Sequence, residues 1–320
     1  MGLLIDGRWH DQWYESSKDG AFQRENAQRR NQLPAAEAGR YHLYVSLACP
    51  WAHRTLIFRT LKGLDKLIDV SVVSWLMQDH GWTFDQQQGS SGDHLDGLQY
   101  MHQRYTRDDP SYTGRVTVPV LWDKQEQRIV NNESAEIIRI FNTAFDGLTS
   151  NRLDLYPEPL RASIDALNER IYPAVNNGVY RAGFATTQEA YEAAFDDVFN
   201  ELDYLEDVLS RNRYLAGEYL TEADVRLLLR KLARLGLVHQ VVRDLFYPEA
   251  TLQRMAALML EQASETTIVQ VSAFRDMLGI GRKRSVQILE YFDRIGLTRR
   301  VADQRHIRAD SALAQQQARH

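Results

Sequence analysis

The stretch "YVSLACPWAHRT", residues 44–55, holds the only cysteine of a 320-residue chain. Residues 41–46 alternate like a strand, and a helix-like run follows from Pro50 to about Leu61, so Cys49 falls at a strand-to-helix junction. A second strand-like run, "DVSVVS" (69–74), completes a βαβ unit, which implies a parallel pair joined by a crossover helix. "TVPVLWD" and "QRIVNN" read as a β-hairpin and "ESAEIIRIFNTAF" as a helix, giving the order βαβ then ββα. The polar stretch 78–115, with "DQQQGSSGDH", reads as an irregular insertion or lid.

A cysteine at the start of a helix faces the positive end of the helix dipole, where backbone N–H groups lower a thiol pKa. Pro50 suits the first turn, since its missing N–H would have no partner there. The junction therefore predicts an activated sulfur; the competing reading is a buried structural cysteine. A lone cysteine forms no intrachain disulfide, and any thiol-exchange cycle at Cys49 must borrow an external thiol. Glutathione is the abundant cytosolic candidate, and sparse cysteine usage fits a reducing, cytoplasmic setting.

Two further features stand near the thiol in this order of elements. The proline of "VPV" (118–120) enters a strand, which points to a tight, cis turn or to an edge-strand proline. "NNESAEII" puts Glu133 and Ser134 at a helix start, where N–H groups and a hydroxyl suit a small carboxylate; taken alone, a plain helix cap is the favoured reading.

Hydrophobic content of 44% with 25% charge describes a soluble globular chain of two or three domains. No apolar run approaches the roughly 18 residues of a membrane span, and "MGLLIDGRWHDQW" lacks the features of a secretory signal. The net charge of −5 conceals an asymmetry: residues 230–320 carry 15 Lys+Arg against 9 Asp+Glu, and the rest of the chain carries 23 against 34. An acidic body and a basic end suggest different partners.

From 158 to about 235 the spacing is helical throughout, with Thr221 as the N-cap of a helix and Asp224 three positions on. "TEADVRLLLRKLARLG" continues as an amphipathic helix with Gly236 as its stop. Beyond it come a β-rich segment, a helix opened by Pro248 and Glu249, a short β-run "TTIVQ", two helices around the turn "GIG", and a hairpin. That is the element order of a winged helix. Arg282, Lys283 and Arg284 start its third helix, and Arg299, Arg300, Arg305 and Arg308 lie in the hairpin. Cations at a helix start oppose the dipole, so phosphate neutralisation is the functional reading and a solvated basic face the plain one. The chain has no GxxxxGK[ST] loop.

Together "ACPWAHRT", "GWTFD", "GRVTVPVLWD", "NNESAEIIRIFN", "GVYRAGFA" and "YLAGEYLTEADVRL" resemble the xi class of glutathione transferases, the glutathionyl-hydroquinone reductases, over residues 1 to about 228. The resemblance implies a thioredoxin-like domain at 1–145 and a helical domain at 146–228, the latter truncated because the family's helices continue further. It implies Cys49 as the nucleophile and Tyr180 as the proton donor or acceptor. Trp82, Arg115, Val118, Glu133 and Ser134 then match the glutathione site. Glutathione and glutathionylated hydroquinones are the implied partners, with no metal and no nucleotide, and a homodimer is compatible. The last 90 or so residues, "GIGRKRSVQILEYFDRIGLTRR" above all, resemble the winged-helix end of the selenocysteine-specific elongation factor. This implies a repeat remnant at 229–247 and an RNA-binding-like domain at 248–320, with an RNA hairpin as partner through Arg282, Lys283, Arg284, Arg299 and Arg300. The fold class is thus an α/β thioredoxin-like domain, a truncated all-α transferase domain and a C-terminal winged helix, joined near Leu227–Leu229. Loss of the later transferase helices is expected to weaken that half and to leave apolar surface uncovered.

Overall fold

A computed structural model gives the architecture; the structure describes residues 2–14, 16–225, 238–242, 245–263, 268–278, 282–301, 304–308 and 311. The chain divides into two compact units, Met1–Arg226 and Leu227–His320. The proposed joint, the amphipathic helix beyond Val225, and the "GIG" turn lie outside the described residues.

The first unit is organised by β3 (Tyr41–Ser46), every residue of which is buried. A strand covered on both faces reads as a near-continuous apolar run, as "YHLYV" does. β3 pairs in parallel with β4 (Asp69–Val73), through the crossover α1 (Pro50–Leu61), and antiparallel with β6 (Val120–Asp123). β6 pairs antiparallel with β7 (Arg128–Asn131), so the sheet order is β4–β3–β6–β7. α1 and α3 (Ser134–Thr143) bury Phe58, Ile137 and Phe141 in the same core as Leu43, Val45 and Leu121. This is the thioredoxin-like arrangement the resemblance implied.

A small sheet not foreseen from the sequence joins β1 (Leu3–Ile5) to β2 (Arg8–His10) and to β5 (Gly114–Arg115). The 78–115 stretch is also more ordered than an irregular lid. It contains α2 (Met101–Asp108), whose Gln103 side chain reaches back to accept from the backbone N–H of Gln99 and Tyr100 at 2.9 and 3.0 Å. The buried Arg104 on α2 is bound to Asp93 and Asp96 at 3.1 and 2.7 Å, which ties the loop to the helix.

The helical region follows with α4 (Arg161–Ile171), a π-helical segment Tyr172–Asn176, α5 (Gly178–Gly183), the 24-residue α6 (Gln188–Arg211) and α7 (Glu222–Val225). Asp224 accepts from Thr221 N, Thr221 Oγ1 and Leu215 N at 2.8, 2.9 and 2.7 Å, fixing the entry to α7 as the Thr221/Asp224 spacing predicted. On α6, Tyr191, Phe195 and Tyr204 are each more than a third exposed.

In the second unit, β8 (Val238–Val242) and β9 (Leu245–Pro248) form a hairpin. α8 (Glu249–Gln262), α9 (Val271–Leu278) and α10 (Arg282–Arg294) bury Leu252, Met259, Phe274, Ile288 and Phe292 together. β11 (Thr298–Val301) and β12 (Gln304–Ile307) make the wing, and β10 (Ile268–Val269) adds a third strand beside β12. Three helices and a three-stranded wing are the winged helix.

Candidate active site

Cys49 occupies the N-cap of α1 in extended backbone, with Pro50 opening the helix. Its Sγ donates to the Val118 carbonyl oxygen at 3.5 Å. Val118 precedes Pro119 across a cis peptide bond, the tighter of the two alternatives its sequence allowed.

The sulfur is buried, and burial pushes its thiol above the ordinary cysteine value. The backbone N–H groups of Ala52 and Trp51, then Arg24 and Arg54, pull the other way without prevailing. The sequence expectation of a lowered thiol is therefore corrected. Cys49 does sit at the helix N-terminus as predicted, but desolvation of the buried thiolate outweighs that placement.

Arg54, one turn along α1, donates to Ser134 Oγ at 2.9 Å and to Glu133 Oε1 at 3.4 Å. Glu133 also caps α3, accepting from Ala135 N at 3.0 Å. Arg115, Val118, Glu133 and Ser134 line one cleft with Trp51, Tyr14 and Tyr172. Cys49, Trp82 and Tyr180 are not among the residues lining that cleft; Cys49 and Trp82 are buried in one core, against which Tyr180 packs. Arg115 is engaged by the N-terminal segment: it donates to Gln12 O at 2.6 Å, Trp13 O at 3.2 Å and Glu25 Oε1 at 3.2 Å, and stacks over the Tyr14 ring.

Tyr180 on α5 stacks with Trp51 at 6.3 Å and with Phe22 at 6.4 Å. Burial and then the neighbouring Cys49 raise its phenol, while Arg24 lowers it. Tyr180 and Cys49 are therefore electrostatically coupled. Sequence reasoning missed Tyr14 and Arg24, which come from residues 11–33, a segment with neither helical nor strand periodicity. The one available signal was its density of arginines and aromatics.

In the second unit, Arg299 and Arg300 are exposed on β11. Arg305 is not available to a ligand. It is buried and donates to Asp293 Oδ2 at 2.9 Å, which pins the wing to α10, so its place among the phosphate-facing cations is withdrawn. The backbone of Arg282, Lys283 and Arg284 opens α10, and their side chains lie outside those described. Among the described residues no helix is long and apolar enough to cross a membrane.

Comparison with known proteins agrees with this fold. The family profiles "Glutathione S-transferase, N-terminal domain" and "Glutathione S-transferase, C-terminal domain" match residues 48–144 and 168–234, and "Elongation factor SelB, winged helix" matches residues 261–307. The chain is 57% identical to the glutathionyl-hydroquinone reductase YqjG of Escherichia coli strain K12, over 71% of this chain and 74% of that protein. The glutathione-bound structure of YqjG superimposes with a TM-score of 0.63 at 55% identity, covering 73% of this chain and 75% of that one. The xi glutathione S-transferase from Phanerochaete chrysosporium superimposes with a TM-score of 0.65 at 52% identity, over 67% and 71%. The selenocysteine-specific elongation factor of E. coli is 35% identical over 42% of this chain, which spans 21% of that factor. Over its first unit the chain belongs to the xi-class glutathione transferases, the glutathionyl-hydroquinone reductases, and behind them it carries the winged helix of the selenocysteine-specific elongation factor.

Proposed function

We propose that this protein is a glutathione-dependent thiol transferase that reduces glutathionyl-hydroquinones through a Cys49–glutathione mixed disulfide. The observation that carries the reading is Cys49 at the N-cap of α1, its sulfur on the Val118 carbonyl oxygen, with Tyr180 stacked on Trp51 two residues further along the helix. It is supported by the 57% identical relative that is named for this activity.

In the first step the Cys49 thiolate attacks the glutathionyl sulfur. The new S–S bond forms as the C–S bond breaks, and the electron pair passes to the ring, whose carbon takes a proton from Tyr180 or through it from water. In the second step a glutathione thiolate attacks the glutathionyl sulfur of the mixed disulfide. Oxidised glutathione leaves and Cys49 returns as thiolate. Two glutathione sulfurs are oxidised and the ring is reduced, so atoms and electrons balance. Arg115, Val118, Glu133 and Ser134 hold glutathione in this scheme, Val118 through its backbone. Arg115 must then exchange some of its N-terminal partners for the ligand.

The chain spans about three quarters of the reductase it matches. Turnover slower than that of full-length relatives is the expected outcome. The test is release of hydroquinone and oxidised glutathione from a glutathionyl-hydroquinone by the purified chain, with Cys49→Ala as control. Activity that survives the substitution would refute the reading.

A second reading rests on the exposed Arg299 and Arg300 beside a winged-helix core: the second unit binds the hairpin of selenoprotein messenger RNA, mainly through its phosphates. The two readings concern different units and are separately testable.

A further inference from the structure

Two cations, Arg24 from the N-terminal segment and Arg54 from α1 itself, act electrostatically on the Cys49 thiol, and Cys49 acts in turn on Tyr180 of α5. Glu133, at the start of α3, reaches this neighbourhood through Arg54. Arg54, whose guanidinium carbon also lies 5.2 Å from the centroid of Trp51, is already committed. It is buried, and its guanidinium serves Ser134 and Glu133. Arg24 is differently placed. Its guanidinium carbon lies 4.5 Å from the centroid of Trp51, two residues after the cysteine, and 5.2 Å from that of Tyr180. Among the described residues no carboxylate lies within ion-pair distance of it, so its charge remains available to the cleft that it lines. A guanidinium over aromatic faces is held in place without its positive charge being neutralised.

The segment that delivers Arg24 is anchored on both sides. Arg115 grips Glu25 and the carbonyls of Gln12 and Trp13. Thr187 Oγ1 donates to Asp19 O at 2.8 Å and Thr186 N to Gly20 O at 3.0 Å. Phe22 packs on both Tyr180 and Phe184. A cation fixed in this way is oriented before any charge develops, which is the condition under which electrostatic assistance is strongest. A buried sulfur has particular need of it, since desolvation opposes its ionisation.

We propose that Arg24 is the charge partner of the reacting sulfur: set over Trp51 and Tyr180 at the cleft, it stabilises the Cys49 thiolate that attacks the glutathionyl sulfur. This deepens the reading above, in which Cys49 is the nucleophile, and assigns a positioning role to the N-terminal segment. Arg115, assigned to glutathione from the sequence, also serves here as the anchor of that segment.

The test compares the full chain with Arg24→Gln and Arg24→Lys by the rate at which iodoacetamide alkylates Cys49, followed by mass spectrometry from about pH 6 to 10. In Arg24→Gln the midpoint should rise by roughly half to one pH unit, making alkylation at neutral pH about three- to tenfold slower. Arg24→Lys, which keeps the charge, should recover most of the loss. A profile for Arg24→Gln that superimposes on the parent would overturn the proposal. So would equal shifts in the two variants, because packing on Trp51 rather than charge would then be the cause. No quinone enters this assay. A chain that shows the shift but never turns over a glutathionyl-hydroquinone sinks the proposed function and leaves this assignment standing.

Discussion

The Cys49 thiol and the Val118 carbonyl oxygen meet at 3.5 Å, a bond that only the protonated sulfur donates. Burial, opposed by the helix N–H groups and by Arg24 and Arg54, holds the thiol above its ordinary range. In the ligand-free protein the thiolate is therefore the minor species at neutral pH. The alkylation rate of Cys49 should climb about tenfold per pH unit through neutrality and still be rising near pH 9, as rate-against-pH measurements would reveal. A plateau below pH 7 would contradict this.

His42, fully buried in β3 with Nε2 2.8 Å from Ser71 Oγ, is held down to about 4 by desolvation. Its folded value lies below the unfolded one, so the unfolded chain binds the extra proton first. Its contribution is complete above about pH 6.5 and is lost as pH falls toward 4. Denaturant titrations of the first unit at pH 7 and at about pH 4.5 should differ by on the order of 2 kcal/mol from this residue alone. Depressed carboxylates such as Asp93 and Asp123 add in the same direction. Equal stability at the two values would be the contrary result.

Asp93 and Arg104 form a pair whose side chains are both inaccessible, and Asp93 also accepts from Leu98 N at 3.1 Å and from Tyr44 OH at 2.9 Å. Asp93→Ala strands a buried guanidinium and frees the loop, and should cost about 3–5 kcal/mol in equilibrium unfolding. A loss under 1 kcal/mol would mean that Asp96 alone suffices to neutralise Arg104.

In the second unit, Arg305→Ala breaks the Asp293 contact beneath the wing and should lower thermal stability. Arg299→Ala with Arg300→Ala removes two exposed cations from β11. It should weaken binding of a selenoprotein-type RNA hairpin and reduce the slope of log affinity against log salt by about 2. An unchanged slope would remove these two arginines from the interface.

How much of this could be read in the sequence follows from how local each signal is. Cys49–Pro50, Val118–Pro119, Glu133–Ser134 and Thr221/Asp224 declare themselves within a few residues, because caps, turns and strand ends are set by near neighbours. α2 escaped notice because "MHQRYTRD" is mostly polar and is capped by Gln103 reaching back rather than by Ser, Thr or Asp at its start. Tyr14 and Arg24 escaped because an irregular segment meets the thiol only through contacts across some 25 to 100 residues of chain, as Arg115 with Glu25 illustrates. The direction of the thiol shift was misjudged for a related reason. Helix-end polarity is visible locally, whereas desolvation depends on everything packed around the sulfur. Arg305 shows the same limit in the wing, where a basic residue in the sequence proves to be a buried structural cation.

The most direct measurement is intact-protein mass spectrometry after the chain meets one equivalent of a glutathionyl-hydroquinone with no free glutathione present. The account predicts a single glutathione adduct, mapped to Cys49, with free hydroquinone released in equal amount and the adduct removed by later addition of glutathione. An unmodified chain, or an adduct that persists in Cys49→Ala, would contradict it.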